Sequence, residues 1–401
     1  MALLNGIFNT SMNPAELNAR SFSDTILRLF PNGSAPLFAL ASKVGKKRAK
    51  VSTHGYFSKT MTFVTTTSTG GDSSSATTLT VGSTAGMVPN MILCDLRTRE
   101  NMRVVAVLTA TTVQVTRAFG RVTAATINTA DKIVQAGTAF MEGSNRPGAR
   151  QLQTVYVPNY TQIFRNAWGL TDTARASMAE IGYSNVAESR KDCSLFHSVD
   201  MESAILFGQA KMDTTTAQPV HATQGIIDAI SQYASGNVNA ASSTTSYVQL
   251  VALVEMAFNY STDMGDNGSR LGFCDRKAMK VLTDIGRKSG QIQIMTSETS
   301  FGMKFTSFKF YQGEINLIQH PLMNGLDPTG GNLLVVDLAA VKLAYMDGRD
   351  AVPEEYNAQS KLTELGTDGV GGSLTSEFAV ELINPYACAY VTGLTAGAAD
   401  A

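Results

Sequence analysis

Charge is what this sequence has least of. Of 401 residues, only 16% are Asp, Glu, Lys or Arg, against roughly 25% in a typical soluble domain. The formal net charge is −1, so no long-range attraction to nucleic acid or to an anionic membrane is implied. The four cysteines, Cys94, Cys193, Cys274 and Cys388, stand alone with no C-x-x-C pair. That argues against a disulfide framework or zinc knuckle and for reduced thiols made in a cytoplasm. No apolar run approaches the ~18 residues of a membrane span. The opening MALLNGIFNTSMNPAELN has no basic start, long apolar core or cleavage signal, so no secretion and no membrane partner are expected.

Chemistry is equally scarce. His54, His197, His221 and His320 lie far apart, without H-E-x-x-H or Cys/His spacing, and read as structural residues rather than metal ligands. There is no G-x-x-x-x-G-K-[ST] and no G-x-G-x-x-G between strand and helix. GSTAG at 82–86 puts Thr84 in a nucleophile slot, but no helix follows in this Thr-rich stretch and a turn is expected. Asp263, Asp266, Asn267 and Gly268 depart from calcium-loop spacing and fit an Asx-type turn. Glu354 and Glu355 follow Pro353 in a polar stretch that needs no acid–base role. The expectation is a protein with no catalytic residues, no cofactor and no metal.

What is present is core material: 44% apolar residues in a chain long enough for two or three domains. A low-charge surface of this kind is often covered by other subunits. Residues 21–30 and 37–41 read as short helices around the turn PNGSAP. Lys43, Lys46, Lys47, Arg48 and Lys50 cluster without interleaved aromatics, which suits a solvated turn or a salt-bridging patch for another subunit better than a nucleic-acid contact. Residues 51–69 alternate as a strand, and TTTSTGGDSSSATT reads as a flexible bridge. Short strands at 79–81, 91–96, 102–108, 112–117 and 132–135, separated by Gly, Pro and Asn, predict a small barrel over about 77–136. A strand out, this insert and a strand back at 152–157 make a long arm that should lie on something else.

The best organised stretch is 151–208. It opens with strand alternation and closes in a helix over 185–207, with Asn185 and Glu188 as a capping-box-like start and Gly208 as a stop. Val186, Ser189, Cys193, Phe196, Val199, Ser203 and Leu206 recur at steps of three and four and predict its buried face, about 34 Å long. Arg190, Lys191, Asp192 and Glu202 fall elsewhere and are candidates for solvent or neighbouring subunits. An ordinary core helix and a structural beam both fit. A polar linker is expected at 214–222, helices at 225–233, 247–259 and 276–285, and strands at 271–274, 301–310, 313–319, 333–337 and 341–346. HPLMNG reads as a loop, and 361–364 and 376–391 read as strand, so the domain is α+β.

The order of these pieces resembles the major capsid proteins of tailed bacteriophages, the Hong Kong 97-like fold, in the branch with a β insert in the extended loop. The stretches that carry the resemblance are NYTQIFRNAWGLTDTARA, SVDMESAILFG, GEINLIQHPLMN, NLLVVDLAAVKLAYM and EFAVELINPYACAYVTGL, with VGSTAGMVPNMIL and VTRAFG in the insert. The resemblance implies an N-terminal arm (1–50), an extended loop (51–157), a peripheral domain with a spine helix (158–213), an axial domain (214–346) and a C-terminal return to the peripheral domain (347–401). It implies a non-enzymatic subunit, made in the host bacterial cytoplasm, that assembles as pentamers and hexamers into an icosahedral head around double-stranded DNA. Portal, scaffolding and decoration proteins are the further partners it implies. The chain starts almost directly with arm-like sequence, so a separate scaffolding protein, or none, is expected. Another phage structural subunit, such as a tail tube or decoration protein, is the alternative. Lys46, Lys47, Arg48, Arg190, Lys191, Asp192 and Glu202 are the candidate interaction residues.

Overall fold

The computed structural model describes residues 37, 46–59, 63–147, 151–177, 185–215, 217–241, 245–259, 268–289, 298–300, 303–326, 330–356 and 369–395. The chain forms two compact units, Phe57–Val155 and the remainder.

The smaller unit is a ring of six antiparallel strands. Their order is Thr65–Thr67, Lys132–Thr138, Met91–Asp95, Asn101–Val107, Thr112–Thr116 and Thr78–Thr80. The two end strands meet through the Ser68–Val81 bridge, with Gly82 N donating to Thr67 O at 2.9 Å, so no edge is left open there. Period-two alternation explains the core. Leu79, Val81, Met91, Leu93, Met102, Val104, Val113, Val115 and Ile133 point inward and are buried. The ring begins earlier than the expected 77–136, because the threonine-rich bridge belongs to it. Thr66 is buried, Asp72 Oδ2 accepts from Thr80 N at 3.1 Å, and Ile127 N donates to Asp72 O at 2.9 Å. Its β-branched threonines suit a strand better than its low complexity suggests.

The larger unit is built mainly on two sheets, one of five strands and one of seven. The first is built on the 14-residue strand Gly369–Leu382. On one side it pairs antiparallel with Gln162–Thr171, and on the other with Val341–Met346 and Val352–Tyr356. Lys46–Ala49 adds a parallel outer strand beside Val341–Met346. Of the two readings of the basic cluster, a solvated turn or a salt-bridging patch for another subunit, the turn gives way at 46–49 to a strand. The second sheet has seven strands, in the order Val238–Ala240, Ala389–Thr392, Leu333–Val336, Ser269–Cys274, Glu314–Gln319, Met303–Lys309 and Glu298–Ser300. All four residues of Leu333–Val336 are buried. Leu334 and Val336 face the core shared with the long helix, while Leu333 and Val335 face the helices Tyr247–Val254 and Arg276–Ser289. A strand covered on both faces reads as a continuous apolar run, and this one does.

The two sheets exchange strands across the boundary expected at 346. Val341–Met346, assigned with 214–346, lies in the five-stranded sheet, and Ala389–Thr392, assigned to the C-terminal return, lies in the seven-stranded one. A three-residue 3-10 turn, Leu338–Ala340, carries the chain from one sheet to the other. Two further expectations change. HPLMNG, expected as a loop, leads into and largely forms the helix Pro321–Leu326, opened by a proline whose missing N–H costs nothing at that position. The linker at 214–222 ends in Val220–Ala222, paired with Lys211–Asp213. The expected strand at 361–364 and calcium-like residues 263–267 lie outside the described residues.

The long helix spans Asn185–Phe207 and packs on Gln162–Thr171 and Gly369–Leu382. Gly208 ends it because space runs out: a Cβ there would sit 2.5 Å from both Ala204 O and Thr223 O. Gly225 N donates to Gly208 O at 2.9 Å, so two glycines let the chain fold back on the helix end.

Candidate interaction surface and buried polar nodes

The helix face differs from its expected composition. Cys193, His197, Met201, Glu202, Ile205 and Leu206 are buried, whereas Phe196 is 61% exposed. Cys193 and Leu206 lie on the expected face, but His197 takes the inward place expected of Phe196 and Glu202 that expected of Ser203, so two of the inward residues are polar. His197 fits there because both ring nitrogens are answered, Nδ1 by Asn166 Oδ1 at 2.7 Å and Nε2 by Ser376 Oγ at 2.8 Å. Burial lowers its pKa, with Asp200 pulling the other way.

Glu202, expected at the surface, is fully buried, and this corrects the sequence reading. Its Oε1 accepts from Leu37 N at 2.8 Å and meets His320 Nε2 at 2.6 Å. A Glu on the buried face of a helix survives burial only with such partners. They come from residues 165 and 118 positions away, which no local pattern reveals.

The other candidate residues are exposed or half-exposed and already paired within the chain. Lys46 pairs with Asp350 and lies over the Tyr345 ring, and Arg48 pairs with Asp347. Arg190 reaches Glu355 at 2.9 Å and stacks 5.1 Å over the ring of Trp168. Lys191 meets Glu188 at 3.1 Å, and Asp192 is exposed beside it. Exposed pairs of this sort contribute about 0–1 kcal/mol each. Lys47 differs, because its Nζ reaches Oε1 of the buried Glu381 at 2.6 Å. Glu381, His54 and His320 are the functional-looking residues the sequence reading missed. The available signal was a charged residue inside the apolar strand EFAVELINP.

Among the described residues, those singled out as candidate catalytic groups are engaged in structural contacts. Thr84 is buried and its Oγ1 donates to Thr109 O at 2.8 Å, a turn contact. Glu354 pairs with Arg165 at 3.3 Å. Burial pushes the Cys388 thiol up to about 12 and raises Cys193 and Cys274 as well, so these sulfurs stay protonated. Among the described residues no cluster of three His, Cys, Asp or Glu could hold a metal. No helix among them is long and apolar enough to cross a membrane.

Comparison with known proteins supplies what side-chain chemistry does not. The major capsid protein of Pseudomonas phage PaMx41 is 51% identical over 405 residues, covering 98% of this chain and 97% of the relative. Among solved structures, Microbacterium phage Oxtober96 aligns over 94% of this chain and 96% of its own at 11% identity and TM-score 0.48. The capsid of a native GTA particle aligns over 95% and 97%, at 8% identity and TM-score 0.47. The molecule is thus a structural subunit of a bacteriophage capsid, part of the virion, and not an enzyme. Residues 6–395 match the SU10 major capsid protein family, and the chain belongs to that family.

Proposed function

We propose that this capsid subunit builds the icosahedral head of a tailed phage, associating as pentamers and hexamers around double-stranded DNA. The observation that carries this reading is the 51% identity to a phage major capsid protein over 98% of the chain. The arrangement is consistent with a Hong Kong 97-like fold. The ring of strands would be the insert of the extended loop, the long helix with its five-stranded sheet the peripheral domain, and the seven-stranded sheet the axial domain. Portal, scaffolding and decoration proteins are the further partners this role implies, and the host bacterial cytoplasm is the site of synthesis. Contact with DNA would be non-specific, in keeping with a net charge of −1.

Arg190, Lys191 and Asp192 on the exposed side of the long helix, with Lys46 and Arg48, are the proposed contacts to neighbouring subunits. Family membership sets aside the tail-tube and decoration alternatives. Electron microscopy of the purified protein tests the reading. Closed particles of uniform diameter are expected, and tubes or a persistent monomer under all assembly conditions would overturn it.

A further inference from the structure

Glu381 sits near the end of the central strand Gly369–Leu382 and is 3% exposed. Both carboxylate oxygens are engaged. Lys47 Nζ donates to Oε1 at 2.6 Å, and His54 Nε2 meets Oε2 at 2.8 Å. Lys47 belongs to the outer strand Lys46–Ala49, and His54 to the next strand, Thr53–Ser58. Two consecutive segments therefore converge on one buried charge over 300 positions away in sequence. Lys46 and Arg48 also tie this strand down, but their partners Asp350 and Asp347 are exposed and the pairs are screened by solvent. The other titratable groups around the site are Lys342, the register partner of Glu381, and the phenol of Tyr56, with Tyr233, Tyr386 and Cys388 near that phenol and Asp228 beside Tyr233.

We propose that Glu381 is a charge-controlled clasp, a buried carboxylate that, while ionised, holds Lys46–Ala49 on the five-stranded sheet and His54 against it, and that loosens residues 46–54 when neutralised. Lys47 and His54 gain charge-assisted hydrogen bonds only from the carboxylate. Their side chains are 42% and 18% exposed, so both can turn to water once it is gone. Burial by itself would raise the Glu381 carboxyl. The hydrogen bonds from His54 and Lys47 reverse that and hold it below the ordinary carboxylate value. A depressed carboxylate contributes stability that is complete above its unfolded value, about 4.3, and that is lost as pH falls through the folded value. Acid therefore opens the clasp.

Hydrogen exchange of the full-length protein, corrected for intrinsic rates, tests this. In Glu381→Gln at neutral pH, protection over residues 46–54 should fall about tenfold or more, the loss expected when charged hydrogen bonds go. Protection over 333–336 should not change, and wild type should show the same local pattern as pH falls through the depressed value of Glu381, below the ordinary carboxylate range. The double variant Lys47→Met, His54→Leu leaves the carboxylate buried without either side-chain donor. Its loosened segment should regain protection as pH falls, with a slope opposite to wild type. Unchanged protection in Glu381→Gln, a loss spread evenly over the seven-stranded sheet, or slopes of the same sign in wild type and the double variant would overturn the clasp. If Glu381→Gln fails to fold, the slope of the double variant decides alone.

Discussion

The two units of this subunit are held together in different ways. The ring of strands is an apolar core of Leu, Val, Ile and Met, closed by neighbours in sequence, with a buried ion pair, Glu100–Arg117. Arg117 grips that carboxylate with two bonds, 2.8 and 2.7 Å, and Ala118 N and Ala125 N add two more. The larger unit is stitched by polar side chains at long range: Glu202 to Leu37 and His320, Glu381 to Lys47 and His54, Glu377 to Thr161 and Arg349. A small insert can be specified locally. A unit whose sheets exchange strands has to be specified by pairings that recognise particular partners.

The sharpest way to break this contrast is to remove one charge from each unit. Glu202→Ala leaves His320 and Leu37 N without their acceptor and should cost about 3–5 kcal/mol. Arg117→Ala leaves Glu100 buried with only backbone donors, for a similar cost. Denaturation followed by the fluorescence of Trp168, which lies in the larger unit, should shift strongly for Glu202→Ala. For Arg117→Ala it should shift little, while exchange protection over 91–116 collapses. Equal fluorescence shifts would show that the two units unfold as one, and the contrast would lose its meaning.

A smaller effect sharpens the polar side of the comparison. His197 is buried neutral, with its pKa lowered by burial. A histidine of this kind opposes folding once pH drops below its unfolded value, about 6.5, because only the unfolded chain takes up the proton freely. His197→Gln keeps one hydrogen bond of two and should cost about 1 kcal/mol at pH 8. The gap to wild type should narrow between pH 7 and 5, read from denaturation midpoints. A gap that widens as the solution is acidified would contradict the neutral assignment.

Legibility in the sequence follows the same divide. The strands of the ring and the span of the long helix were readable because alternation and helical spacing are local signals. The inward face of the helix is only partly legible: Cys193 and Leu206 are buried as their spacing predicts, while His197 and Glu202 hold buried positions next to the expected Phe196 and Ser203. Their burial is decided by Asn166, Ser376 and His320, and pairings at such separation leave no periodic trace. The strand at Lys46–Ala49 was hidden for the same reason: four residues with three charges look like a turn until Val341–Met346 is beside them.

Backbone strain allows a matched test with one position in each unit. Ala118 and Ala351 both have φ of 50°, where a Cβ crowds the carbonyl. Ala118→Gly and Ala351→Gly should each gain about 0.5 kcal/mol, since relief of strain outweighs the extra freedom of the unfolded glycine. The first gain should appear in exchange over 91–116 and the second in Trp168 fluorescence. A loss at either position would mean that the left-handed backbone there is favoured by its surroundings.

The smallest effect on the folded chain is expected at Phe196, and it separates what the subunit needs to fold from what it needs to assemble. Read as a core residue, Phe196→Asp would bury an unpaired charge and abolish soluble protein. At 61% exposure the aspartate meets water instead, and surface substitutions of this kind stay within about 0.5 kcal/mol. Soluble protein with an unchanged denaturation midpoint is therefore expected. Lys191→Ala, one turn and a step earlier on the same helix, should match it, since the Glu188 pair it loses is exposed. A large exposed aromatic on a capsid subunit is nonetheless a natural contact for a neighbouring copy. If Phe196→Asp folds normally but forms no particles under conditions where Lys191→Ala does, the helix has two separable faces, a polar-bonded inner one for the fold and an aromatic outer one for the shell. If both variants assemble like wild type, Phe196 has no part in the shell contacts and the outer face of the helix is simply solvated.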